Sequence, residues 1–229
     1  MAVQLSARVV KIIVGMVCTL AAIAGIAGGA VVDAAELRVV VTSGDDQPVS
    51  DAAVVLRSLD ESPALPSEPQ AQVDQIDREF VPSAIAVPVN TRVLFPNKDD
   101  IRHHVYSFSE AKSFELPLYT GTPARPIEFP REGIVTIACN IHDWMIGHIY
   151  VLDSPWHGVT DEAGRWQIGD LPEGRYALEV WHHAMADSPK AIAEFELDTQ
   201  ASHHMEARVD IASGPSPRRA PRPGRRGYR

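Results

Sequence analysis

The stretch Ile134-Val135-Thr136-Ile137-Ala138-Cys139-Asn140-Ile141-His142-Asp143-Trp144-Met145-Ile146-Gly147-His148-Ile149-Tyr150-Val151 decides how the chain is read. Two apolar, β-branched runs flank a short centre, the pattern of two strands joined by a tight loop. In that centre Cys139, His142 and Met145 follow one another at intervals of three. A thiolate, an imidazole and a thioether can then be aimed at one ion from a single hairpin end. Soft ligands of three kinds seldom fall together by accident. The loop lacks a second imidazole, and His103-His104 supplies one from earlier in the chain.

Outward from this hairpin, residues 72–152 read as short apolar runs separated by Pro, Gly and Asn97-Lys98-Asp99-Asp100, with no sustained helical period, which predicts all-β structure. Ahead of them, Leu37 to Val41 runs into Ser43-Gly44-Asp45-Asp46-Gln47-Pro48 and then Ala52 to Leu56, a hairpin-like start within residues 36–57. Residues 58–71, with Asp60, Glu61, Pro63, Pro66, Glu68 and Pro69, carry too little apolar content for a core and read as a linker. After Asp153, turns at Thr160–Gly164 and Leu171–Gly174 separate Trp166-Gln167-Ile168 from the alternating Tyr176 to Trp181. Residues 191–197 and 204–211 give two further strands.

Arg8 and Lys11 precede an apolar stretch from Ile12 to Val32 that ends in Val32-Asp33-Ala34, so residues 1–34 read as a secretory signal, either cleaved or kept as a membrane anchor. Export would remove Cys18 with the signal and leave Cys139 alone, which excludes an intramolecular disulfide. A lone thiol in an oxidising compartment is inert, reactive or held by a metal, and the company of Cys139 favours the metal. The formal charge of −9 hides an asymmetry: the tail 212–229 carries six arginines and no acid, while residues 35–211 hold −16. So acidic a body argues against nucleic acid as a partner. The tail itself is rich in Pro, Gly, Ser and Arg and reads as disordered.

Across residues 72–152 the order of motifs resembles the cupredoxins, the plastocyanin- and amicyanin-like blue copper family of Greek-key β-sandwiches. The motifs are Phe80-Val81-Pro82, Val87-Pro88-Val89-Asn90-Thr91-Arg92-Val93, Phe95-Pro96-Asn97-Lys98-Asp99, His103-His104-Val105 and the Cys139 loop. The short spacing of that loop is similar to amicyanin, and the whole is similar to plastocyanin-like proteins of the methylamine-utilisation type. The resemblance implies one copper ion held by His103, Cys139, His142 and Met145, with Cys139 as thiolate, His142 as the equatorial imidazole near the surface and Met145 as the axial ligand. Adjacent histidines on a strand point to opposite sides. His103 aligns with the family's ligand, and His104 takes the place of the asparagine that usually braces the loop.

The turns Asp161-Glu162-Ala163-Gly164 and Leu171-Pro172-Glu173-Gly174-Arg175-Tyr176 resemble those of carboxypeptidase regulatory-like, or transthyretin-like, β modules. Residues 36–57 look like the opening half of the same module, so that 36–57 and 153–211 are expected to fold together around the inserted cupredoxin domain. The function expected is an exported, periplasmic electron carrier between redox partner proteins, with no catalysis of its own and membrane contact only through an uncleaved signal. A copper-delivery protein with the same ligands, and a structural or carbohydrate-binding protein, whose sign would be Trp156, Trp166 and Trp181 aligned on one exposed face, are the alternatives. His148 is expected to be solvated. The pairs His182-His183 and His203-His204 do not make the His-x-His repeats of multicopper oxidases.

Overall fold

The structure, a computed structural model, describes residues 35–185, 189–198 and 202–211. The expected signal 1–34 and the Arg/Pro-rich tail 212–229 lie outside the described residues. Among the described residues there is no helix, hence none able to cross a membrane. Two strands come first, β1 (Ala35–Ser43) and β2 (Ala53–Ser58). Between residues 70 and 152 follow β3 (Gln70–Gln72), β4 (Asp74–Ile76), β5 (Glu79–Val81), β6 (Ala84–Pro88), β7 (Thr91–Leu94), β8 (His103–Phe108), β9 (Ser113–Tyr119), β10 (Ile127–Phe129), β11 (Gly133–Cys139) and β12 (His142–Leu152). The rest are β13 (His157–Val159), β14 (Arg165–Leu171), β15 (Gly174–Trp181), β16 (Lys190–Leu197) and β17 (Ser202–Val209).

Strands from either side of the 70–152 segment pair with each other. β1 lies between antiparallel β14 and parallel β17, and β2 lies between β13 and β15, with β16 beyond. Strict alternation along β1 turns Leu37, Val39 and Val41 inward, where they pack against Val54, Leu56, Leu178 and Val180 of the facing sheet. Two corners hold this outer sandwich. Asp161 Oδ1 accepts the amides of Ala163 and Arg165 at 2.9 and 2.8 Å, and Tyr176 Oη donates to the Pro172 carbonyl at 2.8 Å. Gly164 has φ +70°, and a Cβ there would meet the Val41 carbonyl oxygen at 2.4 Å, so the Asp161 turn admits only glycine.

The middle segment is a second sandwich, a five-stranded sheet β6-β12-β11-β8-β9 facing β10-β7-β3. Its core holds Phe80, Val93, Phe95, Val105, Phe129, Val135, Ile137, Ile149 and Val151, with Cys139 and Met145 in the same cluster. The expected linker overlaps strands at both ends, since β2 runs through Ser58 and β3 begins at Gln70 and pairs with β7; the start of the connection is anchored where Asp60 accepts from the Arg175 amide and guanidinium at 2.7–2.9 Å.

β2 is buried on both faces. Val54 and Leu56 look into the outer core, while Ala53 and Val55 meet Tyr150, Leu152 and Trp181 in a third cluster that joins the two sandwiches. Arg57 crosses the same seam, donating to Glu179 at 3.0 Å and to Glu132 at 3.1 Å. One alternative loses its sign here, and one expectation is corrected. Trp166 and Trp181 are buried and Trp156 packs against the outer core, so they form no exposed aromatic row. His148 faces away from Ile149 and Val151 but is not solvated, because Trp181 and His183 of β15 and its following turn cover it.

Candidate metal centre

The β11–β12 hairpin closes at Cys139, which pairs with His142 after a bulge at Ala138. The bulge turns both side chains toward the same end of the sandwich. β8 enters from the adjacent position with His103. The Cys139 Sγ lies 4.0 Å from His103 Nδ1 and 3.8 Å from His142 Nδ1, and all three ligand atoms fall within 4.8 Å of one another. An ion about 2.3 Å from sulfur and about 2.0 Å from each nitrogen would subtend the two sulfur–nitrogen separations at bond angles of roughly 125–135°. The donor set therefore fits a trigonal thiolate–diimidazole site. Met145, three residues after His142, is fully buried in the core cluster that contains Cys139.

Adjacent His103 and His104 do point apart. His103 is 0% exposed and faces Cys139, whereas His104 Nε2 reaches Glu115 Oε1 at 2.8 Å on the opposite side of β8, and its Nδ1 has no partner. His104 therefore makes no hydrogen bond to the Cys139 loop, contrary to a bracing role at this position. Asn97 braces instead the loop that leads to His103: it is buried, donates to the Ile101 and Tyr119 carbonyls at 2.8 Å each, and accepts the Asp99 amide at 3.0 Å.

Asp99 is the group that the motif reading missed. It takes the Nε2–H of His103 at 2.6 Å and the amides of Asp77 and Arg78 at 2.7 and 2.9 Å. Desolvation pushes its carboxyl up, but the bonds from His103, Arg78 and Asp77 outweigh this and hold it below the usual carboxylate range. Asp77 and Arg78 have φ of 54° and 64° and form the tight turn between β4 and β5. The Arg78 carbonyl in turn accepts the Trp144 indole N–H at 3.2 Å. The β4–β5 turn thus latches the loop that carries His103 to the loop that carries His142. No spacing signal connects these segments; only the preference of Asn and Asp for left-handed turns hints at Asp77.

His142 is half-buried and is the nearer of the two imidazoles to solvent. Its ring lies 4.9 Å from that of His103 and 5.3 Å from that of Trp144. Burial first, then the neighbouring His103 and Arg78, hold it below the ordinary histidine range, which favours the neutral form a metal requires. Exposed Ile141 and Ile146 flank it, at 49% and 48%.

No family model and no curated protein matches the chain. Among solved structures, a purple cupredoxin from Nitrosopumilus maritimus is similar at 23% identity and TM-score 0.33, over 36% of this chain and 99% of its own. A copper-containing nitrite reductase from Thermus scotoductus SA-01 is similar at 25% identity and TM-score 0.35, over 42% of this chain and 25% of its own. A reduced Cu(I) form of amicyanin is similar at 16% identity and TM-score 0.33, over 43% of this chain and 98% of its own.

Proposed function

We propose that this is an exported type 1 copper protein that carries single electrons between periplasmic redox partner proteins and catalyses no reaction by itself. The observation that supports it is the convergence of Cys139 Sγ with the Nδ1 atoms of His103 and His142 at 3.8–4.0 Å, with Met145 buried in the same core cluster as Cys139. A thiolate, two imidazoles and a weak axial thioether are the donor set of blue-copper electron-transfer sites. Copper there supplies reversible one-electron chemistry. The chain's own residues keep the cage from rearranging: Asp99 fixes the His103 ring and its tautomer, Asn97 fixes the Asp99 loop, and the β4–β5 turn ties Trp144 down. His142, the more exposed imidazole, flanked by Ile141 and Ile146, is the proposed electron port. The strongly acidic body would steer basic partners toward the protein.

The test is a visible spectrum of the purified protein with Cu(II), before and after ascorbate. Intense absorption near roughly 600 nm that bleaches on reduction, returns on oxidation and is missing in Cys139→Ser supports the carrier. A colourless complex, or Cu(I) that passes readily to a chelator, would put copper delivery in its place.

A further inference from the structure

Beyond the metal centre, the seam between the two sandwiches opens into a cleft of about 520 Å³ beside Trp144. Its lining comes from both sides: Asp143, Trp144, Ile146 and His148 along β12, and Asp51 and His183 from the outer sandwich. We propose that this cleft binds a small aromatic molecule that carries hydrogen-bond donors and no negative charge.

Four observations carry the proposal. The volume lies within the range of small-molecule sites, roughly 300–1,000 Å³, and a junction between sandwiches is where such sites commonly form. One wall is aromatic: Trp144 stands on the same face of β12 as His148, whose ring is held in place by stacking on His183, 6° apart in orientation and 5.2 Å between centroids. Offset stacking on the Trp144 ring suits an aromatic ring better than an aliphatic one. The charges are of one sign. Asp51 and Asp143 line the cleft, no Lys or Arg does so among the described residues, and residues 35–211 carry −16. An anion entering would lose its hydration against two carboxylates with no cation to offset it.

The remaining groups can accept. Asp51 Oδ2 takes the Ser83 hydroxyl at 3.0 Å and leaves Oδ1 for a second donor. Desolvation first, then His183 and His182, lower His148 to about 4, and desolvation also lowers His183, so both are neutral imidazoles; His148 Nδ1 already meets Thr136 Oγ1 at 3.3 Å, and the exposed His183 ring offers the acceptor nitrogen. A bound ring would lie against Trp144, whose own ring is 5.3 Å from that of His142. The cleft is built from protein groups alone, so this inference stands whether or not the copper reading does. Phenols and aromatic amines share the required chemistry.

The experiment is an NMR titration of the metal-free protein with hydroquinone, tyramine and 4-hydroxybenzoate at pH 7, following the His148, His183, Trp144 and Ile146 side-chain signals. Saturable shifts with hydroquinone or tyramine, with intermolecular NOEs to Trp144 and Ile146, are expected, and 4-hydroxybenzoate should bind at least about fivefold more weakly. Binding by only one of the two donors narrows the class to neutral or cationic ligands and upholds the site. His183 is exposed at the rim, so His183→Ala should fold normally and weaken the donor about fivefold. Absence of saturable binding by both donors, equal binding of 4-hydroxybenzoate, or unchanged affinity in His183→Ala would overturn the proposal.

Discussion

His103 Nε2 lies 2.6 Å from Asp99 Oδ2, on the far side of the imidazole from Cys139. The carboxylate fixes which nitrogen is free to face the sulfur, and it does so while anchored by two backbone amides. Asp99→Ala removes the acceptor of all three bonds. Copper affinity should fall about 10- to 100-fold, measured by competition with a chelator of known affinity. Unchanged affinity would mean that packing alone orients His103.

Met145 has two roles to separate. It is fully buried, so Met145→Ala should cost about 2–5 kcal/mol in urea unfolding of the metal-free protein through the cavity it leaves. Met145→Leu nearly conserves volume and should cost less than about 1.5 kcal/mol. If Met145 is also the axial ligand, the leucine variant keeps its colour but shifts its reduction potential. A potential equal to wild type would assign Met145 to packing only.

The seam between the sandwiches makes stability pH-dependent. Desolvation, followed by repulsion among the cluster, holds both His148 and His182 at about 4, whereas unfolded histidine titrates near about 6.5. Between those values the unfolded chain binds more protons, so stability is undiminished above about pH 6.5 and is lost progressively as pH falls toward 4. Denaturant midpoints at pH 7.5 and pH 5 should therefore differ, and His148→Phe should shrink the difference. Equal midpoints in the wild-type protein would contradict the burial of this cluster.

Arg57 should stiffen the same seam. Its guanidinium joins Glu179 of β15 to Glu132, just ahead of β11, and Tyr150 Oη lies 3.4 Å from the same Glu179 carboxylate. Burial opposes the charge on Arg57, but the bonds and fields of Glu179 and Glu132 outweigh it and raise its pKa. Arg57→Met should cost about 1–2 kcal/mol by leaving Glu179 half-buried and unpaired. If the two sandwiches then melt separately, calorimetry will resolve two transitions in place of one.

Much of this was legible because strand periodicity is local. Alternation along Leu37 to Val41 and through Ile134 to Val151 sets which side chains face inward, and the loop spacing brings Cys139 and His142 to one end. The opposition of His103 and His104 follows from the same alternation. What alternation cannot supply is the identity of the covering surface. His148 sits on the outward face as its position requires, yet Trp181 and His183, more than thirty residues later in the chain, lie over it. Asp99 escaped for a related reason: its partners Asp77 and Arg78 are turn residues without a glycine, and they meet it only through tertiary contact.

The parallel pairing of β17 with β1 sets an order of events during biosynthesis. Glu36 pairs with Ser202 and Ser43 with Val209, so the first described strand waits for the last before its sheet is complete. The middle sandwich can collapse as soon as residue 152 has emerged, while β1 and β2 remain with open edges until β13 to β17 arrive. Unpaired edges recruit other chains. A chaperone or a bound metal that holds the nascent chain during that interval would act on the yield of folded protein rather than on its final stability.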